Sequence, residues 1–235
     1  MSKRDFWVPY MRAWRNTWSG NMGSIRSRFY AYLDMLLVDQ GLFRCLYGNR
    51  IRVTDQVVRR SHPCPLSVWM EKRRGIKTII NLRGDNNLGS TLLSKAACKK
   101  YGITHIDFRV YSRQEPSKER LHEIQQLFQT VEYPILMHCK SGADRAGLMS
   151  ALYLIIHEGR SVEEAKRQLK WYYGHIRETH TGILDYFLEA YERANKQKPI
   201  AFMDWVDQEY DPEAVRRSFK TTRWENLLDR LMNRE

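Results

Sequence analysis

Apolar residues recur along the chain with two periods, one typical of helices and one of buried strands. From residue 50 onward, short β-branched runs alternate with longer segments of helical periodicity. The pattern predicts strands at 51–58 (a strand or a hairpin), 77–82, 104–110 and 134–139, and helices at 66–74, 90–100, 117–131 and 146–157. This alternation predicts an α/β fold with a mostly parallel, twisted sheet flanked by helices on both faces.

The first segment is predicted to be an amphipathic helix with an aromatic face. Its apolar residues fall at helical spacing and are Trp7, Tyr10, Met11, Trp14 and Trp18. Arginines lie among them, so one hypothesis is a membrane-surface anchor with tryptophan at headgroup depth. The alternative is a terminal helix packed on the domain. A second amphipathic helix, at 25–47, is predicted to cap the core.

The C-terminal third is predicted to be helical at 183–195, 202–209 and 212–233. Its apolar residues expected in a core or interface are Phe202, Trp205, Val206, Tyr210 and Phe219. The segment 171–182, with His175 and His180, is either a loop lining a pocket or a structural loop. We therefore divide the chain into a basic helical N-terminal extension (1–48), an α/β domain (49–195) and a helical C-terminal extension (196–235).

The charge of the chain favours an anionic partner. The formal net charge is +12, and residues 1–75 carry 14 basic against five acidic side chains. The N-terminal third therefore dominates the electrostatic field. A basic surface would also suit nucleic acid, but the sequence contains no recognised nucleic-acid-binding module, so none is expected as a partner.

The cysteines and the N-terminus point to a reducing compartment. Cys45, Cys64, Cys98 and Cys139 show no C-x-x-C pairing, so neither a disulfide framework nor a zinc site is indicated. The first residues lack the pattern of a secretory signal. Charged residues interrupt the most apolar stretch, 29–47, which is therefore not expected to span a membrane. We expect a cytoplasmic protein, with peripheral contact at the inner face of a membrane as an extension of that hypothesis.

The residues that could carry chemistry follow the strand at 134–139. They read His138-Cys139-Lys140-Ser141-Gly142-Ala143-Asp144-Arg145. A loop over a helix N-terminus directs several backbone N–H groups at one point, and an arginine fork can bind two phosphate oxygens. The same field stabilises a thiolate. One pocket could therefore bind a phosphate dianion and activate the cysteine that attacks it.

This segment resembles the H-C-x5-R motif of the cysteine-based protein tyrosine and dual-specificity phosphatase superfamily. The preceding segments, Arg60-Ser-His-Pro63 and Gly75-Ile-Lys-Thr-Ile-Ile-Asn-Leu-Arg83, are similar to a run in bacterial dual-specificity-like members. The resemblance covers roughly residues 50–195 and implies that family's α/β fold.

The resemblance also implies roles for individual residues. Cys139 would attack phosphorus to form a cysteinyl-phosphate that water hydrolyses. The phosphate oxygens would be held by Lys140, Ser141, Gly142, Ala143, Asp144 and Arg145. His138 would support the loop and the thiolate by hydrogen bonding rather than act as a base. The reaction would need neither a metal nor another cofactor.

The sequence identifies the acid that protonates the leaving oxygen less clearly than it identifies the nucleophile. Family members usually carry an aspartate on a separate loop before the cysteine; here Asp107 lies 32 positions before Cys139, within a predicted strand. Glu115 lies on the following loop but is offset. Asp144 ranks first, because myotubularin-type and Sac-type lipid phosphatases also carry aspartate directly before the motif arginine. For each of the three, the alternative is a solvated or capping carboxylate.

Position 146 departs from the family pattern. It is usually a serine or threonine whose hydroxyl helps to release the cysteine from phosphate, and here it is Ala146. Either turnover is slow or Ser141 compensates for the missing hydroxyl.

The substrate is expected to be a phosphorylated, anionic molecule. Lys140 after the cysteine is similar to the Cys-Lys-x-Gly loops of phosphoinositide and mitochondrial phosphatidylglycerophosphate phosphatases. With the basic N-terminal segment, this favours a lipid phosphate at a membrane surface, for which phosphatidylglycerophosphate is a natural candidate. The alternatives are a phosphoprotein, a soluble phosphate ester, or a non-catalytic phosphate-binding module.

Overall fold

A five-stranded sheet forms the centre of the molecule. The computed structural model describes residues 3–41 and 48–219, with side chains from residue 9 onward. The strands are β1 (Ile51–Arg52), β2 (Val57–Arg60), β3 (Thr78–Asn81), β4 (Thr104–Asp107) and β5 (Ile135–His138). Their order is β1-β2-β5-β3-β4, with β1 antiparallel at one edge and the other four parallel. The predicted, mostly parallel sheet is confirmed.

Helices cover this sheet in the described part of the chain. They are α1 (Lys3–Asn16), α2 (Ile25–Leu33), a π-helical segment (Asp34–Val38), α3 (Pro65–Arg73), α4 (Gly89–Tyr101), α5 (Lys118–Thr130), α6 (Asp144–Ile156), α7 (Val162–Ala165), α8 (Ile183–Gln197), α9 (Phe202–Gln208) and α10 (Pro212–Ser218). Three 3-10 segments follow α7, at Lys166–Gln168, Trp171–Tyr173 and His180–Gly182.

The two faces of the sheet bury separate apolar clusters. On one face, Ile79 and Leu136 contact Val68 of α3 and Cys98 of α4. On the other face, the strands pack with α5, α6, α8 and α9 in the larger cluster. A strand that is buried on both faces has a continuous run of apolar residues, and this run allowed the strands to be predicted from the sequence.

The carboxyl ends of the four parallel strands lie in one row. Arg60, His138, Asn81 and Asp107 are register partners across β2, β5, β3 and β4. In open parallel sheets, this edge is where ligands bind. The loop that follows β5 therefore leaves the sheet beside the ends of β2 and β3.

The N-terminal extension packs on α4. Trp18 is buried with Ala31 and Leu93, and the Trp14 ring contacts it edge-on with ring centroids 5.3 Å apart. The structure thus supports the packed-helix alternative, because Trp18 is buried and Trp14 is partly buried against the same cluster. The side chain of Trp7 lies outside the described residues, and Tyr10 is exposed.

Several element boundaries differ from the prediction. The predicted strand 104–110 ends at Asp107, so this carboxylate lies at a strand end. The predicted helix 25–47 is interrupted by the π-helical segment, and its last part falls outside the described residues. The predicted helix 212–233 ends at Ser218, and the rest of that range, from residue 220, also lies outside them. No helix among the described residues is both long enough and apolar enough to cross a bilayer.

The C-terminal helices share the main core. The residues predicted to be buried there are buried or, for Phe219, partly buried against the same cluster: Phe202, Trp205, Val206, Tyr210 and Phe219. The Tyr210 hydroxyl donates to the carbonyl of Pro116, 2.7 Å away, at the start of α5. The C-terminal segment is therefore fixed to the loop between β4 and α5.

A fully buried glutamate joins β2 to α3. Glu71 accepts hydrogen bonds from Arg50 (2.9 and 3.0 Å), Arg60 (3.2 Å) and Arg74 (3.0 Å). Its side chain has no exposed surface, and that of Arg60 is 10% exposed. Removing the carboxylate would leave the Arg60 charge buried without its anionic partner.

We expect Glu71→Ala to lower the free energy of unfolding by about 3–5 kcal/mol, because an uncompensated buried charge is costly. Urea titration measures the change. The control is Asp55→Ala, which breaks the exposed Arg52–Asp55 pair and should leave the unfolding midpoint nearly unchanged. Equal effects of the two variants would contradict the account.

Candidate active site

The loop between β5 and α6 passes close to the end of β2. Gly142 has φ +78°, a backbone conformation that residues other than glycine rarely adopt. A Cβ at this position would lie 2.6 Å from the carbonyl carbon of Arg60 and 2.7 Å from the Ser61 nitrogen. Both the dihedral angle and the close approach require glycine here.

The sulfur of Cys139 lies inside this loop. The Gly142 N–H donates to the Cys139 Sγ at 3.2 Å, and the cysteine is 2% exposed. Helix α6 begins five residues after the cysteine, at Asp144, so its N-terminal dipole adds partial positive charge on the same side. An N–H directed at sulfur and a helix N-terminus both stabilise negative charge on a thiolate.

Two carbonyl groups of the loop are held by the surrounding protein. The Lys140 carbonyl accepts from the His62 N–H at 3.2 Å, and the Ser141 carbonyl accepts from the Asn49 side chain at 3.0 Å. The C=O and N–H of a trans peptide point in opposite directions. Anchoring these carbonyls therefore turns the N–H groups of Ser141 and Gly142 toward the cysteine side of the loop.

Arg145 lies in the first turn of α6 and is half-buried. Among the described residues, no carboxylate pairs with its guanidinium. A planar guanidinium can donate to two oxygens of a phosphate. Arg145 lies directly after the Cys139 loop, and phosphate binding by the loop and this guanidinium stays a prediction.

His138 is fully buried at the end of β5. Burial lowers its pKa well below the ordinary value, and His62, His105 and Arg83 add to the decrease by disfavouring a further positive charge. Its ring contacts the His62 ring edge-on, with centroids 4.4 Å apart. A neutral imidazole cannot act as a cationic partner for the thiolate at neutral pH. Among the described residues, neither ring nitrogen of His138 has a hydrogen-bond partner, so the structure does not show the predicted support of the loop and the thiolate by hydrogen bonding.

The Asp144 carboxylate pairs with a buried histidine. His175 lies between Asp144 (Nδ1 to Oδ1, 2.8 Å) and Asp185 (Nε2 to Oδ2, 2.6 Å). Burial by itself would lower the pKa of His175, but hydrogen bonds and charge interactions with the two carboxylates raise it to about 9. At neutral pH the imidazolium donates to both aspartates, so Asp144 is an acceptor in this arrangement.

This pairing argues against the first rank given to Asp144 as the acid for the leaving oxygen. A carboxylate that accepts from a buried imidazolium holds the first turn of α6 in place, directly before Arg145. We therefore assign Asp144 and His175 a positioning role. The prediction that the segment 171–182 borders the site gains support from His175.

The second candidate acid, Asp107, is also engaged. Its Oδ1 accepts from the Asn81 side chain at 2.8 Å, and its Oδ2 pairs with Lys95 at 2.6 Å. Asp107 lies on β4, two strands from β5, which corresponds to about 10 Å between backbones. It is at the correct edge of the sheet but is held away from the loop in this structure.

The third candidate, Glu115, is buried in the loop that precedes α5. Its Oε1 pairs with Arg216 of α10 at 2.6 Å. A cavity of about 310 Å³ lies between this loop and α10, and no residue of the Cys139 loop lines it. Each of the three carboxylates is therefore engaged elsewhere in the fold, and the choice of acid stays a prediction.

Ala146 is fully buried and leaves no hydroxyl at its position. Ser141 lies within the loop, where its Oγ accepts from the Ala143 N–H at 3.4 Å. A hydroxyl is therefore present on the loop itself, as the compensation hypothesis requires.

Sequence reasoning missed two residues that hold the loop. Asn49 donates to the carbonyls of both Ser141 and Tyr173, each at 3.0 Å, and so joins two loops that are distant in sequence. The ring of His62 packs on His138 while its backbone binds Lys140. His62 lies within the predicted family run and could have been found there, whereas nothing in the local pattern marks Asn49.

Comparison with known proteins matches part of the chain to phosphatases. The family model described as a dual-specificity or tyrosine phosphatase domain fused to NAD+ kinase (DSP-PTPase phosphatase fused to NAD+ Kinase) matches residues 66–181. The dual specificity protein phosphatase TpbA of Pseudomonas aeruginosa (strain UCBPP-PA14) is 28% identical over 127 residues, which is 52% of this chain and 53% of the relative. The chain thus spans about half the length of the curated relatives it matches.

Two solved phosphatase structures align with parts of the chain. The crystal structure of P. aeruginosa TpbA covers 73% of this chain and 90% of its own, with 19% identity and a TM-score of 0.48. The core catalytic domain of the PP-IP phosphatase SIW14 from S. cerevisiae covers 63% and 91%, with 17% identity and a TM-score of 0.46.

The buried histidine should make stability depend on pH. Because the pKa of His175 is raised from 6.5 to about 9, the native state binds more protons than the unfolded state between these values. The stabilisation is complete below pH 6.5 and is lost as the pH rises toward 9. We expect the free energy of unfolding of the wild type to fall over this range more steeply than that of His175→Gln. Urea titrations at a series of pH values measure both slopes.

The control for this measurement is His122→Gln, since His122 is half-exposed on α5. That variant should keep the wild-type slope. Parallel pH profiles for the wild type and His175→Gln would show that His175 is not a buried cation.

Proposed function

We propose that the chain is a member of the cysteine-based protein tyrosine and dual-specificity phosphatase superfamily and that it hydrolyses phosphomonoesters through a cysteinyl-phosphate intermediate. The observation that supports this most strongly is the hydrogen bond from the Gly142 N–H to the Cys139 sulfur. It places a backbone donor against the sulfur, where negative charge on a thiolate would be stabilised.

In the first step, the Cys139 thiolate attacks phosphorus. The S–P bond forms while the bond from phosphorus to the ester oxygen breaks, and that oxygen takes a proton. The loop N–H groups and Arg145 hold the three non-bridging oxygens, on which negative charge is concentrated. Asp144 and His175 fix the turn that carries Arg145.

In the second step, a water molecule attacks phosphorus. The S–P bond breaks, the attacking water loses a proton to solvent, and inorganic phosphate and the thiolate are released. Because Ala146 provides no hydroxyl near the departing sulfur, we propose that Ser141 supplies the hydrogen bond that family members take from position 146. If it does not, release of phosphate limits turnover.

We propose a lipid phosphate as the substrate class, with a headgroup similar to that of phosphatidylglycerophosphate. The support is electrostatic: Lys140 lies directly after the nucleophile, and residues 1–75 carry 14 basic against five acidic side chains. An anionic bilayer would concentrate the enzyme next to its substrate. The corresponding location is the cytoplasmic face of a membrane.

A phosphoprotein substrate is the second candidate. Its support is the similarity to TpbA, which is described as a dual specificity protein phosphatase, and one TpbA crystal structure contains phosphotyrosine. These descriptions apply to TpbA, and the match covers about half of each chain. The two substrate classes require separate measurements.

Cys139→Ser should reduce hydrolysis of an aryl phosphate to the background rate while the protein keeps its fold. An aryl phosphate is the right probe because its leaving group needs little help from an acid. The matched control is Cys98→Ser, since burial raises the pKa of the Cys98 thiol to about 12 and keeps it from acting as a nucleophile. Retained activity in Cys139→Ser would disprove the mechanism.

The substrate classes are separated by initial rates on phosphatidylglycerophosphate in mixed vesicles and on a phosphotyrosine peptide. We expect kcat/KM on vesicles to exceed that on the peptide by at least about tenfold, a difference of about 1.4 kcal/mol in transition-state binding. Cys139→Ser is the blank in both assays. A higher value on the peptide would favour the phosphoprotein candidate.

A further inference from the structure

Helix α2 exposes its large apolar side chains. Ala31 is buried against α4, where a Cβ at Gly89 would lie 2.2 Å from its carbonyl oxygen. The opposite stripe carries Ile25, Phe29 and Tyr32, which are 88%, 59% and 37% exposed. An ordinary surface helix shows the reverse arrangement, with its apolar stripe on the core.

Helix α3 shows the same inversion. Val68 and the charged residue Glu71 are fully buried, whereas Leu66, Trp69 and Met70 are exposed. Leu66 and Met70 lie four residues apart and therefore on one face of the helix.

The two inverted helices belong to one surface. Both pack against α4, and a cavity of about 210 Å³ between the π-helical segment and α3 is lined by Met35, Gly41, Leu66 and Met70. Twelve large apolar side chains are exposed in the described part of the chain, and eight of them form what we call the α2–α3 surface: Ile25, Phe29, Tyr32, Leu37, Val38, Leu66, Trp69 and Met70. A concentration of this kind marks an interaction site.

The exposed charges on these two helices are all positive. They are Arg26, Arg28, Lys72 and Arg73, and the exposed Arg74 follows directly after α3. Helix α2 contains no acidic residue, and the one acidic residue of α3, Glu71, is buried among arginines.

We infer that the α2–α3 surface docks the protein on an anionic lipid bilayer. Apolar and aromatic side chains interleaved with arginine and lysine are the chemistry of an interfacial helix, whose basic residues contact lipid phosphates. A second copy of the chain is a poorer partner for this surface, because a symmetric contact would oppose arginines to arginines. We therefore assign membrane binding to the α2–α3 surface and not to the N-terminal aromatic face. Trp14 and Trp18 of that face pack against the protein.

The surface lies next to the phosphate-binding loop. Arg60 and His62 line the same cavity as Leu66 and Met70, and the His62 N–H holds the Lys140 carbonyl of the loop. Docking therefore brings the loop close to the headgroup layer. In this respect the inference rests on the proposed function, but binding to a bilayer can be measured without turnover.

The test is co-sedimentation of the full chain with vesicles of phosphatidylcholine containing phosphatidylglycerol. The double variant Phe29→Ser and Leu66→Ser should bind at least about tenfold more weakly, because it removes two exposed anchors from the surface. The matched control is Trp171→Ser with Tyr172→Ser, an equally exposed apolar pair outside the surface, which should bind as the wild type does. All four positions are exposed, so circular dichroism should show an unchanged fold.

A second pair of variants tests the charge contribution. Arg26→Gln with Arg28→Gln should weaken binding to the anionic vesicles. The control is Arg193→Gln with Lys198→Gln, which removes the same amount of charge near the end of α8, on the other face of the sheet. This control should not weaken binding to the anionic vesicles. Vesicles of phosphatidylcholine alone should bind the wild type weakly.

Three results would overturn the inference: no binding of the wild type to anionic vesicles, equal binding by Phe29→Ser/Leu66→Ser, or self-association that this variant abolishes without any vesicle binding. The last would identify a second copy as the occupant. Hydrolysis of a soluble aryl phosphate is measured in parallel and should be unchanged in Phe29→Ser/Leu66→Ser. An inactive wild type that still binds vesicles would disprove the proposed function and leave the docking surface standing.

Discussion

The hydrogen bond from the Gly142 N–H to the Cys139 sulfur is the contact on which the rest of the site depends. It forms only if the loop turns sharply enough for Gly142 to take a positive φ and lie against the Arg60 backbone. The carbonyls on the outer side of the loop must then find donors elsewhere. Asn49 and the His62 backbone provide them, so the shape of the loop is imposed by elements outside it.

The three carboxylates considered as the acid are already paired: Asp144 with His175, Asp107 with Lys95, and Glu115 with Arg216. Arg145, by contrast, has no carboxylate partner among the described residues. A phosphate dianion entering the loop would therefore meet an arginine whose charge is not already compensated.

The fold could be predicted, and Cys139 could be proposed as the nucleophile, because both depend on local features of the sequence. Apolar runs marked the buried strands, and the segment from His138 to Arg145 carried the loop. The remaining features are set by contacts between distant residues: Asn49 reaches Ser141 across 92 positions, and His175 reaches Asp144 across 31. Periodicity also shows that a helix has an apolar stripe without showing which way the stripe faces. The outward face of α2 therefore appeared only in the structure.

The most direct measurement of the central claim is the identification of the phosphorylated residue during turnover. Rapid acid quenching of the enzyme with an aryl phosphate, followed by mass spectrometry of the peptides, would locate the phosphoryl group. The account predicts that it is found on Cys139 and not on Cys64 or Cys98. A phosphoryl group on another residue, or product formation with no phosphorylated enzyme at any quench time, would contradict it.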